Sequence, residues 1–180
     1  MIPPQFEYHV ATSVLEAVGA LGQHQDAKIL AGGHSILPAM KLRLAQPATL
    51  VDIGKIKELV RISSDANGTT IGALTTHAMI AASDEIRQRF PALSEAAALI
   101  GDPQVRNRGT IGGSLAHADP AADYPAVMLA LDAGMHAVGA TGGATTHTHA
   151  VGSISAAAGG SHNHTGVTGN NNNIAYDMAK

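Results

Sequence analysis

The chain contains no cysteine and no tryptophan, and aromatic residues make up only 3% of its 180 positions. Without cysteine it can hold neither a disulfide nor a thiolate-ligated iron–sulfur cluster. That absence is compatible with the cytosol, where disulfides are rare. Charge is also sparse: 11 Lys and Arg stand against 14 Asp and Glu, a net of −3. Such a balance leaves no basic footprint for nucleic acid, so none is expected as a partner. No apolar run approaches the ~20 residues that a membrane helix needs. The opening MIPPQFEYHV lacks the basic and apolar regions of a signal peptide. There is no G-x-G triplet and no G-K-[ST], which excludes a Rossmann fingerprint and a Walker loop.

What is present is 45% hydrophobic residues, enough for a core in one large domain or two small ones. The stretch Asp102–Pro125 has few large side chains to pack, yet carries a double glycine, acidic residues and prolines. Gly109-Thr110-Ile111 reads as a short strand ending at Gly112-Gly113, bracketed by the hydroxyls of Thr110 and Ser114. Paired glycines are costly to order unless the backbone needs a positive φ or a close approach. A second turn of this kind, Ala31-Gly32-Gly33-His34-Ser35, follows the strand candidate Ala27–Leu30. Either could be an ordinary tight turn. Together they read as two walls of one anion site, where converging N–H groups suit a diphosphate.

Elsewhere the pattern is mixed. Phe6–Tyr8 reads as a strand, and Ser13 with Glu16 forms a capping box. Val14, Leu15, Val18 and Leu21 then give one apolar helical face, which Gly22 stops. Ile36–Leu44 reads as a helix whose N-terminus points back at the first glycine turn. Thr49–Ile53 is a strand, and Leu59–Ile62 with Thr70–Ala73 flank the hairpin signal Asp65–Gly68. Helices are expected over Thr76–Ala82, Glu85–Arg89, Leu93–Ile100 and Ala126–Leu131, and a strand over Met135–Val138. Alternating elements argue for a mixed α/β or α+β domain.

Three ordered motifs resemble a known family: AGGHSILPAMKLRLAQPATLVDI (31–53), IGALTTHA (71–78) and DPQVRNRGTIGGSLAHADPAADYPA (102–126). They are similar to the FAD-binding medium subunit of molybdenum hydroxylases, the group of aerobic carbon monoxide dehydrogenase and xanthine dehydrogenase. The resemblance runs from Met1 to about Ala137. It implies an α+β FAD-binding fold of the PCMH (vanillyl-alcohol-oxidase-like) type. The N-terminal α/β subdomain would span 1–58, and a second, incomplete subdomain 59–139. It implies FAD as cofactor, a cytoplasmic oxidoreductase subunit, and partners that carry the molybdenum cofactor and the iron–sulfur clusters. By the same resemblance, Ala31, Gly32, Gly33, His34 and Ser35 would hold the diphosphate together with Gly109, Thr110, Ile111, Gly112, Gly113 and Ser114. Thr76 would be a further contact, and Asp119 and Asp123 would lie near the nucleotide sugar, unless either caps a helix.

His34 could serve the phosphate or remain a loop residue, and His77 and His117 stay open. Arg106 and Arg108 could offset phosphate charge or be solvated; Lys41 and Arg43 read as a solvated face. No acid–base or nucleophile constellation appears.

From about Thr141 the composition shifts to Gly, Ser, Thr, Asn and His, with a four-Asn run. Residues 140–180 are therefore expected to be unstructured. This tail resembles the His- and Gly-rich ends of phage tail-fibre proteins. His147 with His149, and His162 with His164, form H-x-H pairs that on a strand would offer two imidazoles to one side. The alternative to a flavoprotein subunit is thus a chimeric or inactive fragment, a binding module with a metal-binding tail.

Overall fold

The computed structural model describes residues 2–24, 26–66 and 68–138, together with two later strands, 146–150 and 175–179. The chain opens with strand β1 (Glu7–Val10), helix α1 (Val14–Gln23), strand β2 (Ala27–Leu30), helix α2 (Ile36–Lys41) and strand β3 (Thr49–Asp52). These strands form a parallel sheet in the order β1-β3-β2, with Thr49 opposite both Glu7 and Ala27. Parallel neighbours need crossover connections, which α1 and α2 supply. Thr49, Leu50 and Val51 of the central strand are all buried. That is the continuous buried run expected of a parallel strand covered on both faces.

Ser13 caps α1, accepting from the Glu16 amide at 3.2 Å. The return half of the box differs from expectation: the Glu16 carboxylate accepts from Thr12, at both amide and hydroxyl, 2.7 and 2.9 Å away. The buried face is also shifted. Ala17, Ala20 and Leu21 are buried with Val14 and Val18 packed beside them, while Leu15 is 83% exposed. Val14, Ala17, Val18 and Leu21 follow the i, i+3, i+4, i+7 stripe, and Leu15 falls one position off it. The helix runs through Gly22 to Gln23.

Helix α2 ends at Lys41, before the expected Leu44. Arg43 takes a left-handed φ of 62°, and the amides of Leu44 and Arg43 return to Ala39 and Met40. This is a Schellman closure, built with arginine where glycine is usual.

After a 3-10 turn at Lys57–Leu59 come strands β4 (Ile62–Ser64) and β5 (Thr69–Gly72), the expected hairpin in slightly shifted register. Helices α3 (His77–Ala82), α4 (Asp84–Arg89), α5 (Pro91–Leu99), α6 (Pro103–Arg108), α7 (Ile111–His117) and α8 (Asp123–Ala130) follow. Strand β6 (Gly134–Val138) then joins β7 (Thr146–Ala150) and β8 (Ala175–Ala179) in a second sheet, ordered β4-β5-β8-β6-β7 and antiparallel throughout.

Helix α6 was not expected from the sequence, although its signal is there: Asp102 accepts from the Val105 amide at 2.8 Å, and Pro103 fills the first position. Helix α8 begins at Asp123 rather than Ala126, with Pro125 tolerated in its first turn. Two strands fall within 140–180, where composition predicts no packed structure; ladder hydrogen bonds can order a backbone without large apolar side chains. His147 and His149 sit on β7, paired with Ala137 and Met135 of β6. His162, His164 and the rest of the tail lie outside the described residues.

Two cores result. One gathers α1, β2 and β3 around Ala17, Leu21, Val51 and Ile53, and takes in Leu59 and Leu74. The other packs Ile80, Ile86, Leu93, Ile111, Tyr124 and Met128 from the helices against Ile71 and Met135 of the second sheet. The mixed helix-and-sheet class is as expected.

Candidate functional site

Strand β2 delivers the chain into Ala31–Ser35. A Cβ on Gly32 would stand 2.9 Å from Gly109 Cα and collide with the Arg108 carbonyl, so the backbones touch there. Gly33 has φ +81°, a conformation L side chains rarely adopt. The two glycines thus meet separate demands, a close approach and a left-handed turn. Among the described residues no acceptor takes up the amides of Gly32, Gly33, His34, Ser35 or Ile36. Ser35 makes no side-chain cap to α2, which leaves its hydroxyl available.

The second glycine pair is built differently from expectation. Gly112 and Gly113 lie inside the first turn of α7, with Thr110 as its N-cap and no positive φ at either glycine. Residues 73–77 run alongside 109–112 and stitch them in place. The Gly112 amide donates to Ala73 at 2.9 Å, Ile111 to Thr75 at 3.0 Å, and His77 to Gly109 at 3.1 Å. Gly113 donates to Thr110 Oγ1 at 3.2 Å and Ser114 to the Thr110 carbonyl at 3.0 Å. The first-turn amides are therefore already engaged, and this wall offers close approach and the Ser114 hydroxyl rather than a nest of free donors. Glycine at 112 is needed because a Cβ would lie 2.6 Å from the Ala73 Cβ and 2.7 Å from its carbonyl oxygen.

Both bends line one cavity of about 590 Å³, within the size range of ligand pockets. Ala31, Gly32, Gly33, His34, Ser35, Gly109, Thr110, Gly112, Gly113 and Ser114 all face it, along with Ile29, Ile36, Ile53 and Val105. Lys28, His34, His77 and His117 are its titratable lining, and no carboxylate is among the described residues that line it. Free amides, a lysine, imidazoles and no acidic group make a chemistry suited to an anion.

Four expected contacts lie elsewhere. Thr76 caps α3, accepting from Met79 at 3.2 Å, and bridges Thr110. Ile111 is buried in the second core. Asp119 and Asp123 are exposed, just past His117; Asp119 accepts from the Ala121 amide at 2.9 Å, and the cap of α8 is Ala122. Arg106 is committed to the carbonyls of Ile100 and Gly101 at 3.1 and 2.8 Å, and neither it nor Arg108 lines the cavity. Lys41 and Arg43 are exposed, as expected.

One feature of the wall was not visible in the sequence. His77 is buried, its Nδ1 lies 2.9 Å from the Tyr124 hydroxyl, and the rings meet at a 59° tilt. Burial, with the nearby His34, pushes its pKa down to about 4, and burial raises that of Tyr124.

Residues 4–150 match the family described as the FAD binding domain in molybdopterin dehydrogenase. The chain belongs to that family, and the match runs past Ala137, where the resemblance read from the sequence ends. It is 55% identical to the carbon monoxide dehydrogenase medium chain of Hydrogenophaga pseudoflava over 134 residues, 74% of this chain and 47% of that one. Against the 6-hydroxypseudooxynicotine dehydrogenase complex subunit alpha of Paenarthrobacter nicotinovorans it is 53% identical, covering 74% of this chain and 45% of the other. Among solved structures, carbon monoxide dehydrogenase from Hydrogenophaga pseudoflava superposes with a TM-score of 0.78 at 52% identity, covering 82% of this chain and 51% of that one. Quinoline 2-oxidoreductase from Pseudomonas putida 86 superposes at 0.84 and 32% identity over 99% of this chain and 60% of that one. The chain spans about half the length of the curated relatives it matches.

Proposed function

We propose that this chain is the nucleotide-holding part of an FAD-dependent electron-transfer subunit in a molybdenum hydroxylase complex. The observation that carries the reading is the run of unengaged amides from Gly32 to Ile36, facing a cavity that no described carboxylate lines. The donor set fits a diphosphate: Gly33 and the amides beside it cradle phosphate oxygens, and Ser35 and Ser114 add hydroxyls. Glycine at 32, 109 and 112 lets the walls of the cavity pack closely, where a Cβ would strike Arg108, His77 or Ala73. Asp123, whose carboxylate has no hydrogen-bond partner among the described residues, is the better placed of the two acids to accept from a sugar hydroxyl; Asp119 is held in its own turn.

Bound FAD supplies the redox chemistry, taking electrons from one carrier and yielding them to another. No side chain here need act as acid, base or nucleophile; the chain's own work is to bind, orient and shield. These 180 residues have no cysteine to ligate an iron–sulfur cluster; in this reading the clusters sit on a second subunit and the molybdenum cofactor on a third. Relatives named as medium chains and complex subunits support that division. Among the described residues no helix is long and apolar enough to cross a membrane, and a cysteine-free chain suits the cytoplasm.

The test is flavin absorbance of the purified full chain. Colour and stoichiometric FAD are expected. A colourless chain that also fails to take up added FAD overturns the reading.

A further inference from the structure

The buried pair His77 and Tyr124 is not accounted for by a dinucleotide cradle made of backbone. His77 is 4% exposed and Tyr124 fully buried. Among the described residues, the only hydrogen-bond partner of the phenol is His77 Nδ1, and His77 Nε2 has none. That free nitrogen abuts the cavity wall: a Cβ on Gly109 would lie 2.6 Å from it. His77 and Gly109 both line the cavity, and the wall continues across to Gly32.

Two tautomers are open to the ring, and hydrogen-bond accounting separates them. If Nδ1 carried the proton, it would donate to the phenol oxygen. The phenol hydrogen would then be stranded in the core, and the Nε2 lone pair would be unmet as well. If Tyr124 donates to Nδ1, the phenol is satisfied and only Nε2–H is left over. Leaving a buried donor unmet is costly, so the second arrangement is favoured. Burial also keeps the ring neutral, with a pKa pushed down to about 4, so the donor is an N–H without a charge.

Resting on the FAD reading above, we infer that His77 is a cofactor-contacting residue: its Nε2–H, fixed by Tyr124, donates to an oxygen of the bound diphosphate at the seam between the two glycine bends. Among the described residues of this wall, the Nε2–H is a buried donor still waiting for an acceptor. Tyr124 is the positioning residue behind it, acting from α8 through the imidazole.

The test uses the full chain labelled with ¹⁵N-histidine. Nitrogen shifts of the free chain should show Nε2 protonated and Nδ1 as acceptor. FAD, ADP and inorganic pyrophosphate, added in turn, should each move the His77 Nε2 resonance, whereas adenosine should not. The opposite tautomer, or a His77 signal unmoved while FAD and ADP bind, overturns this inference and leaves the FAD reading standing. A chain that binds none of the three phosphates overturns both.

Variants give a second readout by fluorescence titration with FAD. In His77→Gln with Tyr124→Phe, an amide N–H stands near the Nε2 position and no phenol is stranded. In His77→Asn the amide stands near Nδ1 and serves only Tyr124. The first should retain affinity within about threefold, and the second should lose about tenfold, the scale of one hydrogen bond to a charged group. Equal affinities in the two variants overturn the proposal.

Discussion

Gly32 and Gly109 touch backbone to backbone, 77 positions apart in sequence, and this contact joins the two walls of the cavity. Gly32→Ala would force a Cβ against Gly109 Cα and the Arg108 carbonyl, neither of which can rotate away. FAD uptake should be lost, and thermal stability should fall. Gly19→Ala is the control: at this exposed position of α1 a Cβ meets nothing within 4 Å. It should raise stability by about 1 kcal/mol through helix propensity alone, read as a higher melting temperature with FAD binding unchanged.

The second pair of glycines should respond unequally. A Cβ at Gly112 runs into the Ala73 backbone, whereas at Gly113 the nearest atom, 2.8 Å away, is the Thr110 hydroxyl. A hydroxyl can turn aside; a carbonyl held in a hydrogen bond cannot. Gly112→Ala should abolish FAD uptake, and Gly113→Ala should weaken it by no more than the lost cap of α7, about 1 kcal/mol. Parallel titrations of both variants check this, and equal losses would refute the assigned contacts.

The first wall was legible in the sequence because its determinants are local. Strand β2 ends where expected, Gly33 supplies the left-handed turn, and α2 begins at Ile36. The second wall was misread, since Gly109-Thr110-Ile111 has strand-like residues but takes its conformation from residues 73–77 across the fold. Leu15 reads as part of the apolar face of α1, yet it falls one position off the buried stripe and is exposed. His77 and Tyr124 are 47 positions apart and belong to no common motif; only the fold brings them together.

Acid should unfold the chain partly through His77. An unfolded histidine titrates near 6.5, and this one, buried near His34 and bonded to Tyr124, is lowered to about 4. Between those values the unfolded chain takes the proton and the folded chain refuses it. Stability should therefore be independent of this group above pH 6.5 and decline as pH falls toward 4, by on the order of 3 kcal/mol. Urea midpoints at pH 7, 5.5 and 4.5 measure the slope. The variant with His77→Gln and Tyr124→Phe should show a shallower one.

Asp123 offers the simplest check on the sugar contact. Asp123→Ala removes an exposed carboxylate with no cap to lose. The melting temperature should hold within a degree or two while FAD affinity drops about tenfold. Unchanged affinity would remove Asp123 from the site.

The stitching of 109–112 onto 73–77 means that one half of the receptor is rigid before any ligand arrives. The opposite loop has no partner for its amides among the described residues, but it is pinned at Gly32 against Gly109 and at Gly33 by the Leu37 amide. A receptor anchored on both sides in advance gives up little conformational freedom on binding, so substitutions that loosen either anchor should slow capture and hasten release together.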